Sequence, residues 1–199
     1  MPVEREDVLA CYRDGVKAIQ RYASRMTDTM WDTIACGEWT AAQVVAHVRI
    51  VIGWYHGWLD RAEAGDGTPA WVAGELDERN ARELAQLAPA SPNVHMQAFA
   101  ASAEVYAERL VPSWDLPFGY PRGTVTAGQH AALAALEWHT HAWDLGRVLG
   151  DDHEPQRPAL LAEAATETWL ASQARPRSST AAGVPADPWL ALLRRLGRV

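Results

Sequence analysis

The spacing of apolar and polar residues along the chain predicts helices and no strands. Apolar side chains recur every three to four residues over long stretches, and the strict alternation of a half-buried strand is not seen. Helices are predicted at about residues 4–26, 40–64, 75–88, 94–110, 127–150 and 157–174, with a short amphipathic one at 189–196. This pattern is typical of an all-α protein, most simply an antiparallel helical bundle with extra terminal pieces.

Two segments carry stronger local signals than the rest. Thr40 can cap the second helix while Gln43 closes a capping box, and Trp39 can pack on Val44 across the first turn. The segment "VPSWDLPFGYPRGTVT" is rich in proline and glycine and is predicted to be a loop of about 16 residues. Loops of this length are often functional.

Composition narrows the class of protein. A chain of 199 residues with 48% hydrophobic and 22% charged residues fits one soluble globular domain over residues 1–199. The net charge of −7 argues against nucleic-acid and anionic-membrane partners. No signal peptide or apolar run of membrane-spanning length is visible, so a cytoplasmic location is expected. A homodimer is left open.

Two further residue counts are informative. Cys11 and Cys36 stand apart from each other, so reduced structural thiols are expected. Lys17 is the only lysine among 18 basic residues, a bias towards arginine that suggests a GC-rich host genome.

The segment "EWHTHAWDLG" places several metal-binding residue types within one helix. Glu137 and His141 are four residues apart and share a helix face, which Asp144 continues. His139 points about 200° away from Glu137 by helical geometry. An exposed ion pair has the same spacing, but small residues on one flank of this helix allow another helix to pack closely. These residues are Gly128, Ala131, Ala132, Ala134 and Ala135.

A metal site would need a third ligand from another helix, and His47 is the best choice. It lies among valines within the second helix and is therefore expected on its buried face. Trp54 and Trp58 follow on the same stripe and would form an aromatic wall. His56 falls nearly opposite and is expected at the surface. A hydrogen-bonded core histidine is the alternative for His47.

Two motifs carry a family resemblance. The first is "W-T-x-x-x-x-x-x-H", which ends at His47, and the second is "E-x-x-x-H-x-W-D-L" in the later helix. They resemble those of the mycothiol-dependent maleylpyruvate isomerase N-terminal-domain family. That family is part of the DinB-like superfamily of metal-binding bundles. The resemblance implies a four-helix bundle with up-down-down-up helices, here with an additional C-terminal helix and tail. It also implies that His47, Glu137 and His141 bind one divalent metal, usually zinc.

The resemblance further implies a thiol-dependent activity. A metal-bound thiol would attack a small electrophilic substrate in an S-transferase or isomerase reaction. The family resemblance and the bias towards a GC-rich genome both favour mycothiol as this thiol. Asp144 would orient a ligand histidine, while Trp54, Trp58 and the segment "PFGYPRG" would shape the substrate mouth. His130 lies on the face of Glu137 and could assist at the entrance, unless it is a solvated first-turn residue.

Two alternatives stay open from the sequence. One is a bundle that binds a metal or small ligand without turnover. The other is a zinc-dependent hydrolase, which would want a further general base that is not visible. The isomerase itself has an additional C-terminal domain, for which this sequence leaves room only for a helix and a tail.

Overall fold

A computed structural model of the chain describes residues 4–69, 71–72, 74–121, 123–164 and 187–199. The helices described there are α1 (Arg5–Ala23), α2 (Ala41–Glu63), α3 (Leu76–Gln86), α4 (Pro92–Ser113), α5 (Ala127–Val148), α6 (Pro158–Ala164) and α7 (Pro188–Arg195), with a 3-10 helix at Asp28–Asp32. The strands are β1 (Ile34–Cys36), β2 (Trp39–Thr40), β3 (Pro117–Tyr120) and β4 (Gly123–Thr126). The predicted all-α class is confirmed.

Helices α1, α2, α4 and α5 form the bundle, and their mutual contacts give its topology. Helix α1 packs most extensively on α5, and α2 packs on α4. Tyr12 of α1 bonds Ala103 of α4, while Arg5 reaches Val111, so these two helices are antiparallel.

The other helix pairs complete the arrangement. Gly15 lies against Trp138 and Tyr22 lies against Gly146, so α1 and α5 run in the same direction. Between α2 and α4, His56 contacts Ser102 and Glu63 contacts Ser113, so this pair is also parallel. The order along the chain is therefore up, down, down, up, as the family resemblance implied.

Both helices that carry the candidate ligands begin at the same kind of signal. Thr40 caps α2 and Gln43 returns a hydrogen bond to the backbone, which confirms the predicted capping box. Thr126 and Gln129 form the equivalent box at the start of α5. Each box satisfies two backbone N–H groups that a helix start would otherwise leave unpaired.

The prediction of no strands was wrong, because two small antiparallel hairpins are present. Strand β1 pairs with β2 ahead of α2, and β3 pairs with β4 ahead of α5. The second hairpin occupies part of the predicted loop. Strands of two to four residues are too short for a sequence alternation to be recognised.

Aromatic side chains fill the middle of the bundle. Trp138 of α5 is fully buried against Tyr12, Tyr55 and Phe99, each from a different helix. On the side facing α1 the packing depends on Gly15, since a Cβ there would lie 2.8 Å from Cβ of Trp138. This close approach brings the backbones of α1 and α5 together.

The C-terminal part of the chain packs beside α5. The predicted helix at 157–174 is present as α6, and its remainder lies outside the described residues. The predicted short helix at 189–196 is confirmed as α7, which contacts α6. None of the helices described is both long enough and apolar enough to span a membrane.

Candidate metal centre

The antiparallel packing of α2 on α5 brings His47 to Glu137 and His141. One carboxylate oxygen, Oε1 of Glu137, lies 3.1 Å from Nε2 of His47 and 3.2 Å from Nε2 of His141. Both histidines are 4% exposed, and the side chain of Glu137 is 25% exposed. The sequence-predicted ligand set therefore converges at one point that solvent reaches from the side of Glu137.

Two donor separations in this cluster match those expected around a zinc ion. Ligands bound about 2.0–2.1 Å from a tetrahedral zinc lie about 3.3 Å from one another. The two separations to Oε1 of Glu137 are close to that value, and the three residues together form a group able to hold a metal. Two imidazole nitrogens and one carboxylate are also the donor types that zinc takes at sites with an open position.

The hydrogen bonds of His141 also favour a cation at this point. Its Nδ1 lies 2.9 Å from Asp144 and its Nε2 faces Glu137, so each nitrogen meets a carboxylate. Neutral imidazole has only one N–H to donate. A second positive centre, either a proton or a metal ion, must therefore satisfy the other nitrogen.

The pKa values reflect this arrangement in the metal-free protein. Burial alone lowers the pKa of His141, but hydrogen bonds to Asp144 and Glu137 outweigh it and raise that pKa to about 9. Burial alone would raise the pKa of Glu137, yet the hydrogen bonds from both histidines hold it below its ordinary value. The pKa of His47 is lowered, mainly by burial. Glu137 is thus ionised and ready to bind a cation.

Asp144 occupies the position predicted for a residue that orients a ligand. Its carboxylate is buried, accepts from His141 and also contacts the guanidinium of Arg198 at 3.0 Å. Its pKa is lowered, because the contacts with His141 and Arg198 exceed the opposing effect of burial. The carboxylate is charged and holds the ring of His141 from the side opposite Glu137.

Three residues near the cluster were missed by the sequence analysis. The ring of Trp39 lies 4.7 Å from that of His47, Arg198 contacts Asp144, and Cys36 forms a second group with His141 and Asp144. A buried aspartate is rarely left without a positively charged partner. The expected burial of Asp144 was therefore the one signal in the sequence for a nearby arginine.

Cys36 is a neutral thiol in the metal-free protein. Burial and the nearby charge of Asp144 raise its pKa to about 12. It therefore lies beside the centre without offering a thiolate near neutral pH.

His139 does not join the cluster, as its helical phase predicted. Its Nδ1 lies 2.8 Å from Nε2 of His153, and its Nε2 contacts the carbonyl oxygen of Cys11 at 3.0 Å. Burial lowers the pKa of His139 to about 4 and that of His153 to about 3. These two histidines are neutral members of the contact between α1, α5 and the C-terminal segment. His56 is half-buried and bonds Ser102 on the opposite side of α2.

Trp54 and Trp58 are buried along the stripe that continues from His47. The indole N–H of Trp54 donates to Glu83 of α3, and the guanidinium of Arg79 covers its ring. The ring of Trp58 packs on Trp71 at 5.0 Å. Their predicted role as a wall of the substrate site stays a prediction.

His130 is neither solvated nor at an open entrance, which corrects both readings of the sequence. It lies on the face of Glu137 but is 1% exposed, and its Nδ1 contacts the hydroxyl of Tyr106 at 2.7 Å. Phe118 of β3 stacks on its ring, with Tyr55 on another side. Burial lowers the pKa of His130 to about 3. The β3–β4 hairpin covers this residue.

The helix order and topology define a DinB-like bundle with a cluster of two histidines and a carboxylate between two of its helices. The family model of the mycothiol maleylpyruvate isomerase N-terminal domain matches residues 12–146, and the chain belongs to that family. The matched region includes the three candidate ligands and Asp144. It ends before Arg198.

Solved structures show the same fold. A crystal structure of the mycothiol-dependent maleylpyruvate isomerase has a TM-score of 0.62 and 20% identity, over 81% of this chain and 68% of that one. A histidine-to-alanine mutant of that isomerase gives a TM-score of 0.65 and 19% identity over the same shares. At these identities the likeness concerns the fold alone. Among curated proteins no match was found.

Proposed function

We propose that the chain binds one divalent ion, zinc, through His47, Glu137 and His141, and uses it to activate a low-molecular-weight thiol. The observation that carries the proposal is the convergence of both histidines on one oxygen of Glu137, at 3.1 and 3.2 Å. Three protein ligands with one side open are the pattern of catalytic zinc, whereas structural zinc is closed by four protein ligands.

Mycothiol is the thiol we propose. The family carries mycothiol in its description, and both similar solved structures are of a mycothiol-dependent isomerase. The arginine-rich composition suggests a GC-rich host genome, which favours mycothiol over glutathione or bacillithiol. The partner substrate is a small electrophile, and the reaction is S-transfer or isomerisation.

The residues of the chain have separate roles in this proposal. His47, Glu137 and His141 hold the ion, and Asp144 keeps the ring of His141 in one orientation. When bound, the ion supplies positive charge that lowers the pKa of a coordinated thiol, whose ordinary value is about 8.5. We assign the entry of thiol and substrate to the side of the cluster where a quarter of the Glu137 side chain is exposed.

Two outcomes of thiolate attack balance chemically. In transfer, the sulfur forms a bond to carbon while a leaving group departs with the bonding electrons. In isomerisation, the sulfur adds to one carbon of an electron-poor double bond while the π electron pair moves onto the adjacent carbonyl group of the substrate. The remaining single bond then rotates, and return of the electron pair re-forms the double bond and expels the same thiolate. The thiol is consumed in the first case and regenerated in the second.

Metal analysis of purified variants tests the ligand set. The wild type should carry about one zinc per chain, and His47→Ala, Glu137→Ala and His141→Ala should lose it, because two ligands hold zinc poorly. His139→Ala and His56→Ala are matched controls that should keep the metal. Loss of metal from His139→Ala with retention in His141→Ala would overturn the assignment.

A turnover assay distinguishes the activity from its alternatives. The zinc-loaded protein is mixed with mycothiol and a haloarene, and with an activated ester in a parallel sample. Loss of mycothiol that depends on Glu137 supports transfer. Thiol binding without consumption or isomerisation across a panel of electrophiles would favour a non-catalytic binding protein. Ester cleavage without thiol would favour a hydrolase.

A further inference from the structure

The C-terminal segment, residues 187–199, contacts the candidate metal centre through the side chain of Arg198. Nε of Arg198 lies 3.0 Å from Oδ1 of Asp144, and Nη2 lies 3.2 Å from Oδ2. This two-point contact matches the planar geometry in which arginine holds a carboxylate most firmly. The side chain of Asp144 is 1% exposed and that of Arg198 is 23% exposed, so the pair is largely shielded from water.

The local structure of the segment fixes the position of Arg198. Asp187 caps α7 by accepting from the backbone of Trp189, whose indole N–H donates to the carbonyl of His153. After α7, Gly197 adopts a φ of +71°, and the N–H of Arg198 bonds the carbonyl of Leu193. This glycine-terminated turn reverses the chain and directs Arg198 back towards α5.

Docking of the segment does not depend on the arginine alone. Trp189, Leu192 and Leu193 are all buried in the contact beside α6. The apolar contact therefore holds the segment, while the guanidinium contacts a carboxylate that also accepts from the candidate ligand His141. Oδ2 of Asp144 is shared between Nη2 of Arg198 and Nδ1 of His141.

We propose that Arg198 is a positioning residue of the metal centre. It holds the carboxylate of Asp144 at two points, and Asp144 in turn holds the ring of His141 so that Nε2 faces Glu137. Removal of the guanidinium leaves the buried carboxylate with His141 and the weakly donating thiol of Cys36 as partners, so it can turn away from His141 or draw in water. Metal affinity therefore depends on the C-terminal segment. The inference rests on the proposed metal centre.

Zinc affinity of the full chain, measured by competition with a chromophoric chelator, tests the proposal. Arg198→Gln should weaken zinc binding about tenfold, the lower end of the effect of partners that orient metal ligands. Arg198→Lys keeps the charge but loses the two-point contact, so it should recover part of the affinity. Arg195→Gln makes the same change at an exposed position of α7 and should leave the affinity unchanged.

A double-mutant cycle separates positioning from a general loss of structure. If Arg198 acts through Asp144, Arg198→Gln should have little further effect on zinc affinity in the Asp144→Asn background. Independent, additive losses would overturn the inference, even if both variants fold less well. So would an unchanged zinc affinity in Arg198→Gln. A wild-type chain that binds no zinc would instead overturn the proposed function on which the inference rests.

Discussion

Nδ1 of His141 lies 2.9 Å from Oδ2 of Asp144, three residues further along the same helix. The carboxylate is charged and can only accept, so Nδ1 is the protonated nitrogen of this contact. The other nitrogen, Nε2, is thereby turned towards Glu137, where the proposed ion binds. The pair fixes both the tautomer and the direction of the ligand, as partners of metal-bound histidines commonly do.

Replacing Asp144 with asparagine should weaken metal binding without abolishing it. The amide keeps the size of the side chain but loses the charge that holds His141. We expect zinc affinity to fall about 10–100-fold, measured by chelator competition. Asp152→Asn, which changes an exposed partner of Arg147 just beyond α5, is the matched control and should have no effect. Equal zinc affinities in Asp144→Asn and Asp152→Asn would show that Asp144 does not orient a metal ligand.

Zinc binding should become tighter as the pH rises towards 9. The pKa of His141 is raised to about 9 in the metal-free protein, so below that pH a proton occupies the imidazole and competes with the metal. We expect release of about one proton per zinc at pH 7, measured by calorimetry in buffers of different ionisation enthalpy. His47, with its lowered pKa, is already neutral and should add no second proton. An affinity independent of pH between 6.5 and 8.5 would contradict this account of His141.

Gly15→Ala should destabilise the fold, although alanine favours helices. Its Cβ would lie 2.8 Å from Cβ of Trp138, which cannot move without shifting α5. Overpacking of this kind costs about 1–3 kcal/mol in the free energy of unfolding, measured with urea. Gly53→Ala on α2, where no neighbouring atom lies within 4 Å, should instead raise stability by about 0.5–1 kcal/mol. A higher free energy of unfolding in both variants would show that α1 and α5 are further apart than described.

The free energy of unfolding should fall as the pH drops from 6.5 towards 4. His139 and His153 are buried, and their pKa values are lowered to about 4 and about 3, below the ordinary value of 6.5. The unfolded chain binds protons at these positions first, so stability present above pH 6.5 is lost below it. For His139 alone the loss is of the order of 3 kcal/mol by pH 4.

Urea unfolding at pH 7 and pH 5 checks this prediction. The His139→Gln variant should lose less stability on acidification than the wild type, whatever its stability at pH 7. His95→Gln is the comparison: burial also lowers the pKa of this partly buried histidine, so the variant should recover less of the acid-induced loss of stability than His139→Gln does. A wild type equally stable at both pH values would mean that the two histidines are not held neutral by burial.

Much of the fold was accessible from the sequence because long helices leave a repeated apolar pattern. The capping box of Thr40 and Gln43 located the start of α2 to the residue. The hairpins were missed, since pairs such as Ile34 with Thr40 depend on neighbours and leave no pattern in so few residues. The burial of His130 was missed for the same reason, because the ring stacked on it comes from Phe118 of β3.

Some residues of the candidate site could be predicted from the sequence, and others could not. Glu137, His141 and Asp144 lie on one helix, so their spacing predicts a shared face. His47 was accessible because a valine-rich helix indicates its buried side. The contact from Arg198 joins residues 54 positions apart and depends on the turn at Gly197. No local pattern relates that turn to Asp144, and only the packed structure does.

The central claim, that the open side of this centre takes a thiol, is tested most directly by absorption spectroscopy of the cobalt-substituted protein. Addition of mycothiol should produce a sulfur-to-metal charge-transfer band well below pH 8.5, because the metal lowers the pKa of the thiol. The band should be absent from the variants of His47, Glu137 and His141 and retained in His139→Ala. No spectral change with mycothiol, glutathione or bacillithiol in a protein that holds its cobalt would contradict the claim.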